Sequence, residues 1–566
     1  MVILAATAFM CLGLLNFAFG PNWWRGQSLR LAIGVPILLV YAYLEMPALV
    51  FPQAITLLLL TLIPNTLYSL MLAARTAFAA RRIVSIRRTP ALPYLIAPIA
   101  VAVFAVILTA APIVDASGLR DVVDETTSNT LPPSADLAHV RVVPEESAIF
   151  AGNKVVGQLG AYYNVGEFNV QVERGPSASE KRLVWVAPLE FQGLVQWLSR
   201  HTSPGVIVVS AENPDAPAEL RQRAPMRYIP SALFNDNLYR HVYMSYGFQQ
   251  ILETTLQLDD RGNPQYLATL GRPTIGWIGQ KVTAVVIVDP ATGAMRHYAR
   301  DEFANLPRWV SRVYPDKLAL DYNEWFGKYV HGMWNYLLAK RDVHVPARDE
   351  VFGLLAGDRF VWFVDHTSPA GDQSMTGFTY MDTVDGKMTY YTSSGGEFNS
   401  RGAEDAVASN PIVRQGKLVP TQPLLYNAYQ QNTWVVPLVA PDTGKYQTLA
   451  LVQAKNGRVV LGSTSSASPQ IDAFERYAAL LGVGAPAAED LGAERLQQGT
   501  IDRISPVSNG AIFFTLRGRR QVFSVDASDP AALLARSGDS AHFRAGPPAR
   551  GNIAIAHDFV DAEVPR

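Results

Sequence analysis

Four apolar stretches occupy most of the first 114 residues, and they constrain the fold more than any other feature of the sequence. They cover residues 2–19, about 31–51, about 54–74 and about 92–114. Each is close to the roughly 20 residues that a helix needs to cross the hydrocarbon core of a bilayer. The sequence therefore predicts a transmembrane region of four helices in residues 1–114, with the lipid bilayer as a partner.

Arginines between these stretches predict the orientation. Residues 75–88 contain five arginines and no acidic residue, and residues 21–30 contain two arginines. Arginine-rich loops are retained on the cytoplasmic side, so we expect the N-terminus and residues 115–566 outside the cytoplasmic membrane. Residues 2–19 could instead be a cleaved signal peptide, but the basic segment that begins such peptides is missing.

Composition excludes several classes of protein. Charged residues make up 17% of the chain, against about 25% in typical soluble domains, which excludes a wholly soluble protein. The single cysteine, Cys11, excludes a disulfide framework and a cysteine-based zinc site. No Asp, Glu, Lys or His lies within an apolar stretch away from its ends. That absence argues against an ion-coupled transporter, which normally carries such groups at depth.

The remaining chain begins with a polar segment and then becomes β-rich. Residues 115–140 are rich in Ser, Thr, Asp and Pro, which predicts a linker. From residue 141 onward, short β-like runs are separated by Gly, Pro and Asp.

A repeat is visible among these runs. Its frame is an aromatic-rich strand, a second strand, a turn built on Asp or Asn with Gly, and a third strand. Three copies begin near Tyr266, Trp362 and Trp434, and a degenerate fourth begins near Trp185. Asp or Asn with Gly supplies the positive φ that tight hairpin turns require, so each copy predicts consecutive antiparallel strands.

Helix-like apolar spacing alternates with these strand units. It occurs in residues 234–256, 319–340 and 469–482. A small sheet cannot bury its apolar face alone, so a helix on the sheet is the expected arrangement. The prediction is an α+β fold, with one region of such units in residues 141–345 and a second in residues 346–490.

Two phrases carry a family resemblance. Residues 288–293 read Val-Asp-Pro-Ala-Thr-Gly, and residues 451–457 read Leu-Val-Gln-Ala-Lys-Asn-Gly. This arrangement resembles the PepSY family, which implies tandem small α/β modules outside a bacterial membrane, sometimes beside peptidases. Longer phrases such as residues 235–241 and 329–335 resemble bacterial multi-pass membrane proteins with large outer regions, a resemblance that transfers no activity.

The C-terminal region, residues 491–566, has a different pattern. Five short strands with a helix-like run after the third resemble an OB-fold barrel. Such barrels often bind single-stranded nucleic acid through basic grooves. Here the basic cluster at Arg517, Arg519 and Arg520 is offset by nearby aspartates. We therefore expect a structural or protein-binding barrel and no nucleic-acid partner.

The sequence predicts no catalytic, cofactor-binding or metal-binding residues. Familiar catalytic motifs are missing, and no two of the nine histidines lie within five residues of each other. Four features of the sequence offer alternatives to this prediction. They are His366 beside Asp365 as half of an acid–base pair, Ser394 in a Ser-Ser-Gly-Gly phrase as a nucleophile, His331 in an aromatic phrase, and the calcium-loop-like group Asp259, Asp260 and Asn263. A plain turn is the favoured interpretation of Ser394 and of the group around Asp259, and a packed histidine is that of His331. For His366, no third partner can be read from the sequence.

Three functional hypotheses follow. The leading one is a non-enzymatic, membrane-anchored binding or scaffold protein of the bacterial cell envelope, whose partners are other envelope proteins or further copies of itself. The second is an envelope hydrolase or a peptidase regulator, with His366 or Ser394 in a catalytic role. The third is an accessory subunit for transport or secretion.

Overall fold

The computed structural model describes most of the chain. The described residues are 1–15, 23–79, 92–157, 163–175, 181–223, 225–393, 395–466, 468–483, 495–507, 511–519, 521–527, 529–545 and 553–561.

Apolar helices form the N-terminal part. They are α1 (Val2–Leu12), α2 (Trp23–Glu45), α3 (Phe51–Ala79) and α4 (Leu92–Val114). Within the described residues, three segments are long and apolar enough to cross a membrane, namely Trp24–Glu45, Phe51–Met71 and Ile96–Val114. Helix α1 is only about 17 Å long at 1.5 Å per residue. Residues 16–19 of the first predicted span lie outside the described residues, as do residues 80–88 of the arginine-rich loop, so the fourth span stays a prediction.

The segment expected to be a linker is ordered, which corrects that expectation. It contains α5 (Ala116–Arg120) and β1 (Glu125–Ser128). Asp115 caps α5 by accepting a hydrogen bond from the N–H of Gly118, and Leu119 is fully buried. Few apolar residues are enough here, because the segment packs against a large neighbouring core rather than forming its own.

Four antiparallel meanders of four strands follow, each preceded by a helix. The first comprises α6 (Glu145–Val156), β2 (Tyr163–Val165), β3 (Asn169–Arg174), β4 (Lys181–Phe191), α7 (Leu194–Arg200), β5 (Val206–Ser210) and β6 (Glu219–Arg221). The second comprises α8 (Leu238–Tyr246), β7 (Gln250–Leu258), β8 (Pro264–Arg272), β9 (Lys281–Val288) and β10 (Met295–Ala299). The meanders proper are β3–β6 and β7–β10, and β2 adds to the edge of β4.

The other two meanders have the same plan. The third comprises α9 (Asp316–Lys328), α10 (Gly332–Trp334), β11 (Val345–Pro346), β12 (Phe352–Ala356), β13 (Arg359–Thr367), β14 (Met375–Asp382) and β15 (Met388–Thr392). The fourth comprises α11 (Ser400–Ala408), α12 (Pro411–Gln415), β16 (Val419–Pro420), β17 (Leu424–Ala428), β18 (Gln431–Val439), β19 (Tyr446–Gln453), β20 (Val459–Leu461) and α13 (Pro469–Leu481). The meanders proper are β12–β15 and β17–β20, and β1 pairs in parallel with β15.

These meanders confirm the predicted strand units. Strands β8–β10, β13–β15 and β18–β20 pair consecutively and antiparallel. Gly293 and Gly386 in their turns have φ of 76° and 73°, the left-handed conformation that the Asp/Asn-Gly pattern requires. One buried cluster includes Trp185, Leu267 and Trp362 from the first three meanders and Val435 from the fourth. The predicted boundary at residue 345 therefore cuts through a shared core.

One helix prediction was wrong in its second half. Residues 234–256 were expected to be helical, but α8 ends at Tyr246 and β7 begins at Gln250. Gly247 follows the helix, and the β-branched pair Thr254 and Thr255 lies in the strand, where such residues fit best. The helix expected over residues 469–482 is confirmed as α13.

The C-terminal unit is a closed barrel of five strands. It comprises β21 (Arg495–Ile504), β22 (Ala511–Leu516), β23 (Val522–Asp526), α14 (Pro530–Leu534), β24 (Ser540–Ala545) and β25 (Ile553–Asp561). The order around the barrel is β21-β22-β23-β25-β24. Its aromatic core forms a buried cluster of its own, separate from that of the meanders.

Candidate functional site

Two short segments of the same design lead into α6 and α9. Residues 141–145 read Arg-Val-Val-Pro-Glu, and residues 312–316 read Arg-Val-Tyr-Pro-Asp. In both, the proline is the residue before the helix and the acid is its first residue. In both, two consecutive N–H groups donate to one carbonyl oxygen, that of Ala211 for the first and of Thr383 for the second. We term these the first and second arginine segments.

Each arginine segment binds the tryptophan of its own meander. Nε1 of Trp185 on β4 donates to a carbonyl oxygen of the first segment at 2.9 Å, and Nε1 of Trp362 on β13 donates to the second at 2.8 Å. The guanidinium of Arg141 lies 5.3 Å from the Trp185 ring centroid, and that of Arg312 lies 4.7 Å from that of Trp362. Both distances are within cation–π range, so the first and third meanders carry the same arginine–tryptophan stack.

Both stacks line one cleft. The cleft has a volume of about 630 Å³, and its walls include β3 of the first meander and β12 of the third. Clefts that bind small molecules commonly have about 300–1,000 Å³. The size and the paired stacks make this cleft the candidate functional site.

Arg312 has carboxylate partners. Its Nη2 donates to Oε1 of Glu253 on β7 at 2.6 Å, and a carboxylate oxygen of Asp316 lies 3.7 Å away. Its Nη1 donates to Oδ1 of Asn169 on β3 at 2.8 Å. The charge of this buried side chain is therefore neutralised inside the fold.

Arg141 has only neutral partners. Its Nη1 donates to the carbonyl oxygen of Gly353 on β12 at 3.0 Å, and its Nη2 donates to Oε1 of Gln422, ahead of β17, at 3.0 Å. Among the described residues, no carboxylate oxygen lies within 4.0 Å of the guanidinium nitrogens of Arg141, the distance limit for an ion pair. The side chain is only 2% exposed, and burial lowers the pKa of Arg141 to about 10.

Acidic side chains line the same cleft. Glu145, Glu146 and Glu167 all contribute to its lining. Burial raises the pKa of Glu145, and the neighbouring carboxylates of Glu146 and Glu167 raise it further. Oε1 of Glu146 accepts a hydrogen bond from Thr421 at 2.9 Å, whereas its buried Oε2 has no hydrogen-bond partner among the described residues. A cation in the cleft would relieve both effects.

The structure separates His366 from Asp365. Neighbouring strand residues point to opposite faces, so Asp365 accepts from the N–H of Ser400 at 2.7 Å while His366 faces α9. Nε2 of His366 lies 2.9 Å from Oδ1 of Asn323, and its Nδ1 lies 2.9 Å from Nδ1 of His344. His366 is fully buried, which leaves its ring without the access that an acid–base role requires.

The remaining sequence alternatives do not assemble into a site. Ser394 lies outside the described residues. His331 is exposed and pairs with Asp342 at 3.1 Å. Asp259 accepts hydrogen bonds from the N–H groups of Arg261 and Asn263, as in a plain turn. In the described part of the chain, no group of three His, Cys, Asp or Glu side chains could hold a metal ion.

The arginine segments escaped the sequence analysis. Their signal is a five-residue match, Arg-Val-x-Pro-acid, placed directly ahead of two helices. The strand repeat begins at its aromatic residue, so the segment ahead of each helix lies outside the repeat as the sequence defines it. Aligning the repeats from their helices would have paired Arg141 with Arg312.

Comparison with known proteins adds nothing to this geometry. No protein-family model matches the chain, and a search of curated proteins found no match.

Proposed function

We propose that this chain is a membrane-anchored, non-enzymatic binding protein of the bacterial cell envelope, and that the cleft between the arginine segments is its binding site. The observation that carries the proposal is Arg141, a buried cation at the cleft with no carboxylate partner among the described residues. Buried charges are normally paired, so an open cleft beside an unpaired one favours a ligand.

The anchor supports the envelope location. Helices α2, α3 and α4 contain the three segments long enough to span a bilayer. With the arginine-rich loops inside, residues 115–566 lie outside. Helix α1 adds to this, because Val2 lies beside Gly247 of the outer part while Met10 accepts a hydrogen bond from Thr61 within α3. These contacts support the proposal that the first residues of α1 lie on the outer side, as a fourth span would require.

Exposed apolar side chains of the outer part collect near the membrane. Trp334 is 74% exposed and Leu338 is 77% exposed, and Leu337 between them is also exposed. Helix α10 contacts α5, which directly follows the membrane helix α4. We term Trp334, Leu337 and Leu338 the collar. Lys340 and Arg341 follow it in sequence and suit a lipid headgroup layer.

Two contacts indicate how deep this side of the molecule lies. Nε1 of Trp277 donates to Oγ1 of Thr109 within α4 at 3.1 Å. The N–H of Leu49, in the connection between α2 and α3, donates to the carbonyl oxygen of Gly247 at 2.8 Å. Because the outer part touches the membrane helices inside their apolar length, the collar is placed to enter the outer leaflet.

The other modules suit binding rather than catalysis. The meanders with their helices fit the PepSY-like resemblance, and the barrel order with α14 between its third and fourth strands suits an OB-like fold. Both lead us to propose other envelope proteins or a second copy of the chain as further partners, with no nucleic acid. An envelope hydrolase is less well supported, because His366 is buried against Asn323 and His344.

Thermal stability with and without ligands tests the proposal. The full-length chain in detergent would be melted in the presence of amino acids, short peptides, sugar acids and peptidoglycan fragments. We expect at least one class to raise Tm and to be recovered unchanged. Leu320→Trp, which fills the cleft from α9, should abolish the shift, and Leu534→Trp on the exposed barrel helix should not. A shift that survives Leu320→Trp, chemical conversion of the ligand, or no shift with any class would contradict the proposal.

A further inference from the structure

The two halves of the cleft can be compared residue by residue. Nη1 of each arginine reaches the first strand of the opposing meander, at Asn169 for Arg312 and at Gly353 for Arg141. Nη2 of each arginine reaches a polar side chain of another meander, the second meander for Arg312 and the fourth for Arg141. For Arg312 that residue is Glu253, and for Arg141 it is Gln422.

The difference between the halves is one carboxylate. Glu253 neutralises Arg312, whereas Gln422 offers Arg141 only an amide oxygen. A guanidinium carries five N–H donors, and Gly353 and Gln422 accept from two of those of Arg141. Among the described residues, the other donors of Arg141 have no acceptor within hydrogen-bond distance, and they fit a carboxylate, which arginine can bind through two parallel hydrogen bonds.

The acidic lining specifies a second group on the ligand. Glu145 and Glu146 lie close enough to act on the charge of Arg141, and Glu167 lines the same cleft. A ligand with a carboxylate alone would face their repulsion. A ligand that also carries an ammonium group would neutralise both the arginine and the acids.

We propose that Arg141 binds the carboxylate of a zwitterionic ligand, an amino acid or a short peptide, whose ammonium group is held by the acids of the same cleft. This inference rests on the proposed function, because it assigns the ligand class of the same site. Arg312 is the counterpart of Arg141 in the other half of the cleft, and Glu253 of the protein already supplies its carboxylate.

Gln422→Glu tests the inference by supplying the missing carboxylate from the protein itself. We expect this variant of the full-length chain to melt at a higher temperature than the wild type without ligand. It should also bind alanyl-alanine with an affinity lower by roughly 30-fold or more. Gln498→Glu, on the exposed face of the barrel, is the matched control and should bind as the wild type does. Arg141→Lys keeps the charge without the paired donors and should also weaken binding.

The probes separate the two charged groups of the ligand. Calorimetric titration of the wild type should show binding of alanyl-alanine, none of its C-terminal amide and weaker binding of its N-acetyl form. Acetate and inorganic phosphate test a bare anion and should bind more weakly than the dipeptide. Equal binding of the amide, tighter binding of phosphate, or unchanged binding by Gln422→Glu would overturn the inference. If another class of compound binds and Leu320→Trp blocks it, the ligand class is wrong while the proposed function stands.

Discussion

Nδ1 of the half-buried His344 and Nδ1 of the buried His366 lie 2.9 Å apart, so one of these two histidines must donate a hydrogen bond to the other. Nδ2 of Asn323 donates to the carbonyl oxygen of Ala319, which leaves its Oδ1 as the acceptor for Nε2–H of His366. Nδ1 of His366 is then an acceptor, and the proton belongs to Nδ1 of His344. The ring of His366 is therefore neutral in the fold, and the lowered pKa of His344 keeps that ring neutral at pH 7.

This pair predicts a loss of stability in weak acid. Burial lowers the pKa of His344, the positive charge of Arg120 adds to this effect and Asp342 opposes it, and together they bring the pKa to about 4. Because the folded pKa is below the ordinary 6.5, the contribution to stability is complete above pH 6.5 and is lost as pH falls toward 4. Tm should drop across this range, and less so in His344→Asn, whose amide can still donate to His366. Parallel pH profiles for the two proteins would contradict the assignment.

A buried ion pair in the first meander predicts a second pH effect. Burial would raise the pKa of Glu173, but Arg182 and Arg221 hold it at about 2. Its contribution is present above the ordinary 4.5 and is lost as pH falls toward 2. At pH 7, Glu173→Gln removes one of the two carboxylates paired with Arg221, while Glu219 remains at 2.6 Å, and should cost about 1–3 kcal/mol of unfolding free energy. Thermal melts of the purified chain measure this.

A control and a pH series complete the Glu173 experiment. Glu475→Gln, on the exposed side of α13, should leave Tm unchanged. The penalty of Glu173→Gln should shrink as the pH is lowered toward 3, because the wild-type carboxyl takes up a proton in the unfolded chain, where its pKa is the ordinary 4.5, before it does so in the fold. A penalty that is the same at pH 7 and pH 3 would show that charge pairing is not its cause.

The barrel should melt independently of the meanders. Phe543 is fully buried, with its ring centroid 4.8 Å from that of Phe523 and 5.0 Å from that of Phe514. Phe543→Ala should cost the barrel about 3–5 kcal/mol. Because the aromatic core of the barrel is a separate cluster, calorimetry should show one transition moving down and the others unchanged. A shift of every transition would show that the cores are coupled.

The collar predicts contact with lipid. A fluorescent NBD label at Leu338→Cys, in a Cys11→Ser background, should show blue-shifted emission in vesicles and be quenched by nitroxide lipids. The same label at Leu534→Cys on the barrel, where the leucine is 61% exposed, should behave as in water. A water-like label at 338, or one shielded equally in detergent by a second copy of the chain, would count against lipid insertion.

Local patterns in the sequence were enough to predict the strand units and the apolar helices. Asp/Asn-Gly turns such as that of Gly386 set the pairing of neighbouring strands through local chemistry. The length and apolar composition of α2, α3 and α4 mark three candidate membrane spans among the described residues. The helix predicted over residues 234–256 was too long, because its apolar spacing ends at Tyr246 and positions 249, 250 and 253, which would continue it, are Gln, Gln and Glu. Residues 115–140 were misjudged because their buried positions, such as Leu119, depend on a core that lies elsewhere in the chain.

Local sequence patterns of this kind do not predict the candidate site. Arg141 meets Gly353 and Gln422 across more than two hundred residues of chain, and His344 meets His366 only through the fold of the third meander. Neither pairing leaves a spacing that a local motif search detects. The repeated Arg-Val-x-Pro-acid pattern of the arginine segments is the sequence signal that points to the site.

A crystal structure of the full-length chain with 4-bromophenylalanine tests the central claim most directly. This amino acid carries the carboxylate and ammonium groups, and bromine can be located by anomalous scattering. We expect a bromine peak in the cleft, with the carboxylate of the ligand on the guanidinium of Arg141 and no ligand carboxylate on that of Arg312. An empty cleft at saturating ligand, or a carboxylate bound away from Arg141, would contradict it.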